Sequence, residues 1–175
     1  PVSAGYLEWL ENFVDDWFFV FAIAFLAFEL TRYAIYKKLS WTLLGDTVTN
    51  YITLGFFIGL TVLFLGAFYV ATFYYAFQFA VFDIEINWIT VMICVVLADL
   101  AYYWEHRIAH RVRLLWTQHA VHHSSQDYNI ITAIRFGPLE SVWSLLAHLP
   151  MLLIGFPPEL IFFGIIVMLA YQTWL

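Results

Sequence analysis

Residues 51–82 read YITLGFFIGLTVLFLGAFYVATFYYAFQFAVF, and this stretch contains no charged side chain. A helix needs about 20 mostly apolar residues to cross a hydrocarbon core of about 30 Å. At about 1.5 Å per residue the stretch is longer than the core is thick, so we predict one tilted membrane helix with an interfacial aromatic end. The aromatic residues of that end are Tyr69, Phe73, Tyr74, Tyr75 and Phe77.

The composition of the whole chain agrees with a membrane protein. Of its 175 residues, 63% are hydrophobic, 21% are aromatic and only 11% are charged, whereas a soluble domain is about half apolar and a quarter charged. The net charge of −6 offers no basic face to a nucleic acid. The single cysteine, Cys94, excludes a disulfide framework.

Four other stretches are apolar enough to be membrane segments: 17–36, 88–104, 139–154 and 160–175. The last two are short and are separated by GFPP, a turn signal that suggests a hairpin. We therefore predict an all-α, polytopic integral membrane helix bundle of about five segments. Residues 1–175 would form a single membrane domain, with a histidine-box region at 99–129.

The basic residues predict the orientation of this bundle. Loops rich in Lys and Arg stay in the cytoplasm. The predicted spans bring all seven basic residues to one side, while the other side is acidic, with Asp83 and Glu85 in the loop before the third segment. A multi-pass protein with its histidine-box region at the cytoplasmic face is expected. The basic residues are Arg32, Lys37, Lys38, Arg107, Arg111, Arg113 and Arg135.

Five of the six histidines lie between positions 106 and 123. His106 and His110 are four residues apart and would share a helix face, while His119, His122 and His123 would fall within an arc of roughly 100°. Two such turns facing each other could surround a metal ion, which neutral imidazole binds. The remaining histidine, His148, is expected to be a polar cap.

Two carboxylates accompany these histidines. Asp99 precedes His106 by seven residues and lies on nearly the same stripe, so it could accept a hydrogen bond from a ligand imidazole. An ionisable side chain inside a membrane segment is a functional candidate by default. Glu105 lies off the stripe and is expected to pair with Arg107 or Arg111.

The donor types narrow the choice of metal. A site of imidazoles without thiolates suits zinc, copper, iron or nickel. The first motif reads HRIAH, with arginine where a zinc protease has its glutamate base. Many histidines spread over several segments fit two metal ions open to dioxygen, which favours iron.

The stretch DLAYYWEHRIAHRVRLLWTQHAVHHSSQDYN (99–129) resembles the histidine-box region of the fatty acid hydroxylase and sterol desaturase superfamily, membrane di-iron oxygenases without haem. HHSSQDYNIITAIR, YYWEHRIAH and YQTW are most similar to its alkylglycerol monooxygenase-like branch. The resemblance implies that the five box histidines are iron ligands and that a lipid C–H bond is hydroxylated. Electrons would come from a pterin or a partner protein.

Members of this superfamily carry a further histidine cluster after the segment that resembles YQTWL. We therefore expect that this sequence is an incomplete part of a longer chain, which by itself binds metal partially and does not turn over.

These points together predict a lipid hydroxylase, with ether-lipid cleavage as the nearest named activity and a sterol or carotenoid desaturase or hydroxylase as the alternative. The lipid would enter from the leaflet, with its head group near Arg107, Arg111, Arg113 or Arg135. A non-catalytic structural or accessory subunit of a larger membrane complex is the alternative of another class. A metal transporter is disfavoured because no polar residues line a path through the first two segments.

Overall fold

The computed structural model describes residues 4–36, 40–126 and 130–172, and within these ranges the regular structure is helical, with no β-strand. The prediction of an all-helical protein is confirmed. The helices are α1 (Ala4–Ile35), α2 (Trp41–Leu60), α3 (Gly66–Phe77), α4 (Trp88–Ala109), α5 (Arg113–His122), α6 (Glu140–Ile154) and α7 (Pro158–Gln172). A π-helical turn (Thr61–Leu65) joins α2 to α3, and a 3₁₀ turn (Ile130–Ile134) precedes α6.

The charge-free stretch lies in one continuous helical run, Trp41–Phe77, made of α2, the π turn and α3. This run begins before the predicted position because the Ser40 hydroxyl accepts a hydrogen bond from the Leu43 backbone amide, at 3.1 Å, and so caps the helix. It ends at Phe77, where the chain turns before Phe82. The hydropathy of the sequence predicted the apolar part of this helix but not its polar first turns.

Within the described ranges, two helical runs are long and apolar enough to cross a bilayer, Trp41–Phe77 and Trp88–Ala109. Helices α6 and α7 are apolar but have only 15 residues each, a length of about 23 Å. The first predicted segment lies in α1 except for its last residue, Tyr36, and residues 173–175 of the fifth lie outside the described part of the chain. The total of five segments stays a prediction.

Helix α4 carries the first histidine pair because it continues past the predicted end at residue 104. Asn87 begins it with a capping box, in which its side chain accepts from Thr90 N and the Thr90 hydroxyl accepts from Asn87 N. No Gly or Pro interrupts the chain as far as Ala109, and His110 forms the C-cap. His106 therefore lies in the last turn of the helix.

The buried core lies between α3, α4, α6 and α7. Helix α7 approaches α4 closely at Gly164, where an added Cβ would stand 3.4 Å from both Ala98 Cβ and Cys94 Sγ. The Cys94 thiol lies 3.4 Å from the Leu160 carbonyl oxygen, to which it donates. These contacts fix α4 against the rest of the bundle.

The loop that precedes α4 is bonded to the turn between α6 and α7. Val81 and Phe82 donate backbone hydrogen bonds to Leu153 and Ile154, and Ile84 donates to Gly155. Gly155 has φ +126°, and a Cβ there would lie 2.1 Å from the Phe82 carbonyl oxygen, so only glycine fits. Both turns lie at the start of α4, opposite the histidine end.

Candidate metal centre

Two short hydrogen-bonded histidine pairs form the centre of the site. In the last turn of α4 the Nε2 atoms of His106 and His110 lie 3.1 Å apart. At the end of α5 the Nε2 atoms of His119 and His123 lie 3.2 Å apart. Each pair has the four-residue spacing that puts two side chains on one helix face.

The two pairs face each other across the short turn between α4 and α5. The ring centroids of His106 and His119 lie 4.4 Å apart, and those of His110 and His123 lie 4.7 Å apart. One nitrogen from each of the four rings lies within 4.8 Å of all the others. Two nitrogens bound to one ion at about 2.0–2.1 Å in a tetrahedron are about 3.3 Å apart. The separations within each pair match this value, and the two pairs would bind a single ion by moving closer together.

His122 lies beside this group of four rather than in it. Its ring is nearly parallel to that of His119, at a centroid distance of 5.7 Å and an interplanar angle of 28°. Its Nδ1 atom is buried and has no hydrogen-bond partner among the described residues. The structure therefore brings together four of the five predicted ligands and places the fifth next to them with a nitrogen unused.

The environment favours the neutral form of His122 and His123. Burial lowers the pKa of His122 and of His123, and the neighbouring histidines, His119 first among them, lower both further. A lowered pKa means that the ring loses its proton at a lower pH than a free histidine does. The neutral ring presents the lone pair that a metal ion needs.

The carboxylate behind the cluster is Glu140, which the sequence analysis missed. Its Oε1 atom accepts a hydrogen bond from Nδ1 of His119 at 3.1 Å, and its Oε2 accepts from the Gly137 backbone amide at 3.1 Å. Glu140 is the only acidic residue between 128 and 158 and stands in the first turn of an apolar helix. The isolation of this acid in an apolar stretch was a signal that the sequence offered. An acidic residue in the first turn of a helix is also common, however, because it interacts favourably with the helix dipole.

Asp99 and His148 have other partners. Oδ1 of Asp99 accepts a hydrogen bond from the Gln172 side chain of α7 at 2.7 Å. Asp99 precedes His106 by roughly 10 Å along the helix, which is about two turns away from the histidine pair of α4. His148 is fully buried in α6, where its Nδ1 lies 2.7 Å from the Ser144 carbonyl oxygen, so it is a core residue rather than an interfacial cap.

Glu105 faces a small cavity instead of an arginine. The cavity lies between α4, α5 and α6, has room for about one water molecule, and is also lined by His106, His119 and Glu140. Oε2 of Glu105 and Nδ1 of His106 are buried there without hydrogen-bond partners among the described residues. The expected pair with Arg107 or Arg111 is absent from the ion pairs of this part of the chain.

The arginines near the site fall into two groups. Arg107 is exposed, donates a hydrogen bond to the Tyr103 hydroxyl, and stacks its guanidinium over the Trp104 ring at 5.6 Å. Arg135 is buried and donates to Asp46 at 2.9 Å and to Asn50 at 2.8 Å, both on α2. Of the four arginines proposed as alternatives for the lipid head group, Arg135 is therefore the wrong one, because its side chain holds the segment after the histidines against α2.

Aromatic rings pack beside the cluster. The Trp116 ring lies 5.4 Å from that of His110 and 5.7 Å from that of His123, centroid to centroid. Tyr102 lies 5.7 Å from His106. These rings shield part of the centre from water without offering it a charge.

Comparison with known families identifies the part of the chain that carries this centre. Residues 91–175 match the model of the fatty acid hydroxylase family. This segment, just under half of the chain, is similar to that family. All five predicted ligands and Glu140 lie inside the matched segment, so the family resemblance inferred from the histidine motifs is confirmed.

Individual relatives support the alkylglycerol monooxygenase-like branch of this family. The chain is 40% identical over 77 residues to "Alkylglycerol monooxygenase" of Xenopus tropicalis and, over the same length, to that of Homo sapiens. The aligned stretch covers 44% of this chain and 17% of each relative. The chain thus matches about a sixth of the length of these relatives, and no solved structure matches it.

Proposed function

We propose that this protein is a membrane-bound lipid hydroxylase, dependent on iron and dioxygen, that acts on a C–H bond of a long-chain lipid. The observation that carries the proposal is the convergence of four imidazole nitrogens from α4 and α5 within 4.8 Å. The site lies in a segment of the fatty acid hydroxylase family, at the end of an apolar helix long enough to cross a bilayer.

The donor set fits iron. Imidazole suits iron, and the group of four contains no thiolate, which would favour zinc or copper(I). His106, His110, His119 and His123 would hold one ion. His122, whose buried Nδ1 has no partner among the described residues, would contribute to a second ion of a di-iron site.

Bound iron would supply the strong oxidant that an unactivated C–H bond requires. The overall reaction inserts one oxygen atom of O₂ into the C–H bond and reduces the other to water. It consumes two electrons and two protons, and the electrons would come from a pterin or an electron-donor protein.

The side chains of the protein would bind and orient the lipid. Exposed apolar residues of α4, among them Val96, Leu100 and Ile108, lead along the helix toward the histidine end. Arg107 and Trp104 stand exposed at that end, and an aromatic side chain and a cation suit the region of the lipid head groups. An acyl or alkyl chain would therefore reach the site laterally from one leaflet.

An ether lipid is the substrate that we favour, because the relatives that are 40% identical over 77 residues are named alkylglycerol monooxygenases. The test is to purify the whole protein that carries this sequence into lipid nanodiscs, measure bound iron, and supply O₂, a reductant and a tetrahydropterin. Alkylglycerol, fatty acid and sterol substrates should be compared. We expect the purified protein to contain iron and to convert the alkylglycerol to a product in a reaction that depends on O₂.

His119→Ala should abolish both iron binding and product, and His148→Gln, which removes an imidazole outside the cluster, should keep the iron. An iron-free protein, or equal product from His119→Ala, would refute the proposal. Oxidation of the sterol alone would reassign the substrate.

A further inference from the structure

We infer that Glu140 is a positioning residue of the metal centre: its carboxylate fixes the tautomer of His119 and places a negative charge behind the ligands. The inference rests on the proposed function, since it assumes that His119 binds the metal. It assigns a role to a side chain on α6, away from the histidine motifs.

The contact between the two side chains determines which ring nitrogen carries the proton. A carboxylate accepts hydrogen bonds and cannot donate them when ionised, so His119 must donate its Nδ1 proton to Oε1 across 3.1 Å. The Nε2 lone pair then points toward the other three rings. The opposite tautomer would put a proton where the metal ion belongs.

Glu140 is held in place by the backbone around it. Its second oxygen accepts the Gly137 amide proton, and the adjacent Leu139 amide donates to the Gln118 side chain at 3.1 Å. Gly137 packs directly on α5, because a Cβ there would lie 2.6 Å from the Gln118 carbonyl oxygen. The start of α6 is thus fastened beside His119, whose own exposure is only 5%.

The charge of Glu140 matters because the four converging ligands are neutral imidazoles. A metal cation in a partly buried site is stabilised by a nearby anion. Asp99 is bonded to Gln172 instead. Among the hydrogen bonds of the described residues, Glu140 is the carboxylate that reaches a histidine ring.

Replacement of Glu140 by glutamine tests the tautomer directly. Two donors, His119 Nδ1–H and Gly137 N–H, face this side chain, and a carboxylate accepts both, whereas an amide has a single acceptor oxygen. If the Gln oxygen accepts from Gly137, its NH₂ group faces Nδ1 and favours the tautomer with the proton on Nε2. Glu140→Gln should therefore weaken metal binding by about 10- to 100-fold.

The experiment titrates the metal-free protein in nanodiscs with Co²⁺, whose visible spectrum reports ligand geometry, against a competing chelator. Glu159→Gln is the matched control, because Glu159 is an exposed carboxylate in the first turn of α7 that accepts from Tyr74. Its affinity should equal that of the unsubstituted protein. Circular dichroism checks the helix content of each variant.

Glu140→Asp separates positioning from packing. Asp keeps both acceptors and the charge but is one methylene shorter, so a positioning role predicts that Asp binds Co²⁺ more tightly than Gln. A role in packing predicts the reverse, because Gln has the shape of Glu, and that order would overturn the inference. Unchanged affinity of Glu140→Gln for Co²⁺, together with loss of the metal in His119→Ala, would also overturn the inference. Failure of the unsubstituted protein to bind Co²⁺ would overturn the proposed function together with this inference.

Discussion

Single histidines of the cluster are expected to differ in their effect on metal binding. His106, His110, His119 and His123 converge, whereas His122 lies outside that group. Alanine at any of the four should lower the content of tightly bound metal by at least about tenfold, since three imidazoles hold an ion less well than four. His122→Ala should keep that ion, as elemental analysis of the purified variants would reveal. An equal loss of bound metal in all five variants would contradict the distinction between His122 and the other four histidines.

The sequence could predict the pairs within each helix but not every partner between helices. A four-residue spacing fixes a shared face, so the pairing of His106 with His110 followed from periodicity. The position of His122 depends on the turn between α4 and α5. The contact of Glu140 with His119 depends on how α6 docks on α5, through Gly137 and Gln118. Such contacts between distant parts of the chain leave no periodic signal.

At the scale of elements, a buried ion pair joins α2 to the segment that follows the histidines. The side chains of Asp46 and Arg135 are 10% and 9% exposed, and Ser125 also donates to Asp46. Arg135→Met leaves the carboxylate without its cation, and removing one partner of a buried pair costs about 3–5 kcal/mol. We expect a clearly lower thermal midpoint of the protein in detergent.

Two further variants give this measurement its controls. Arg113→Met removes an exposed arginine and should change the midpoint little. The double variant Asp46→Asn/Arg135→Met should be less destabilised than the sum of the two single changes, because neither charge is then left unpaired. Additive effects would show that the pair does not act as a unit.

The turn between α6 and α7 provides a second test at this scale. Gly155→Ala introduces a Cβ that would lie 2.1 Å from the Phe82 carbonyl oxygen, at φ +126°. The backbone of the loop must shift, and we expect a loss of at least about 1 kcal/mol, measured as a lower thermal midpoint. Gly59→Ala is the control, because its Cβ would meet nothing within 4 Å. An unchanged midpoint for Gly155→Ala would mean that the loop adapts freely.

Helix boundaries were predictable where hydropathy and turn residues coincide. The predicted segment 139–154 agrees with α6, Glu140–Ile154, because a Gly-Phe-Pro-Pro turn ends it. The predictions failed where a helix continues into polar residues. Helix α4 extends beyond residue 104 to Ala109, with His110 as its C-cap, and α2 begins at Trp41. The hydropathy of a membrane segment carries no information about such polar extensions.

For the whole molecule, the distribution of exposed apolar side chains indicates contact with lipid. Leu63, Phe64, Ile89, Met92 and Val96 are each at least 63% exposed on the two helical runs that are long enough to span a bilayer. Soluble monomers rarely expose contiguous apolar patches larger than a few hundred Å². Lipid tails would cover these side chains, so the two ends of α4 should meet the two surfaces of the membrane.

This arrangement makes a prediction about topology. Helix α4 is about 33 Å long; Asp83 lies in the exposed loop before its start, and Ser124 is exposed just after the histidines. Arg107, Arg111 and Arg113 gather at the histidine end, and basic loops stay cytoplasmic. In a protein with Cys94 replaced by Ser, we expect a cysteine at 83 to react with an impermeant maleimide from outside intact cells. A cysteine at 124 should react only after the membrane is opened.

The unsubstituted protein, in which Cys94 is fully buried, should not be labelled and serves as the background control. Labelling of both positions from one side would show that α4 does not cross the bilayer, and the reverse pattern would show that the histidine cluster faces outward.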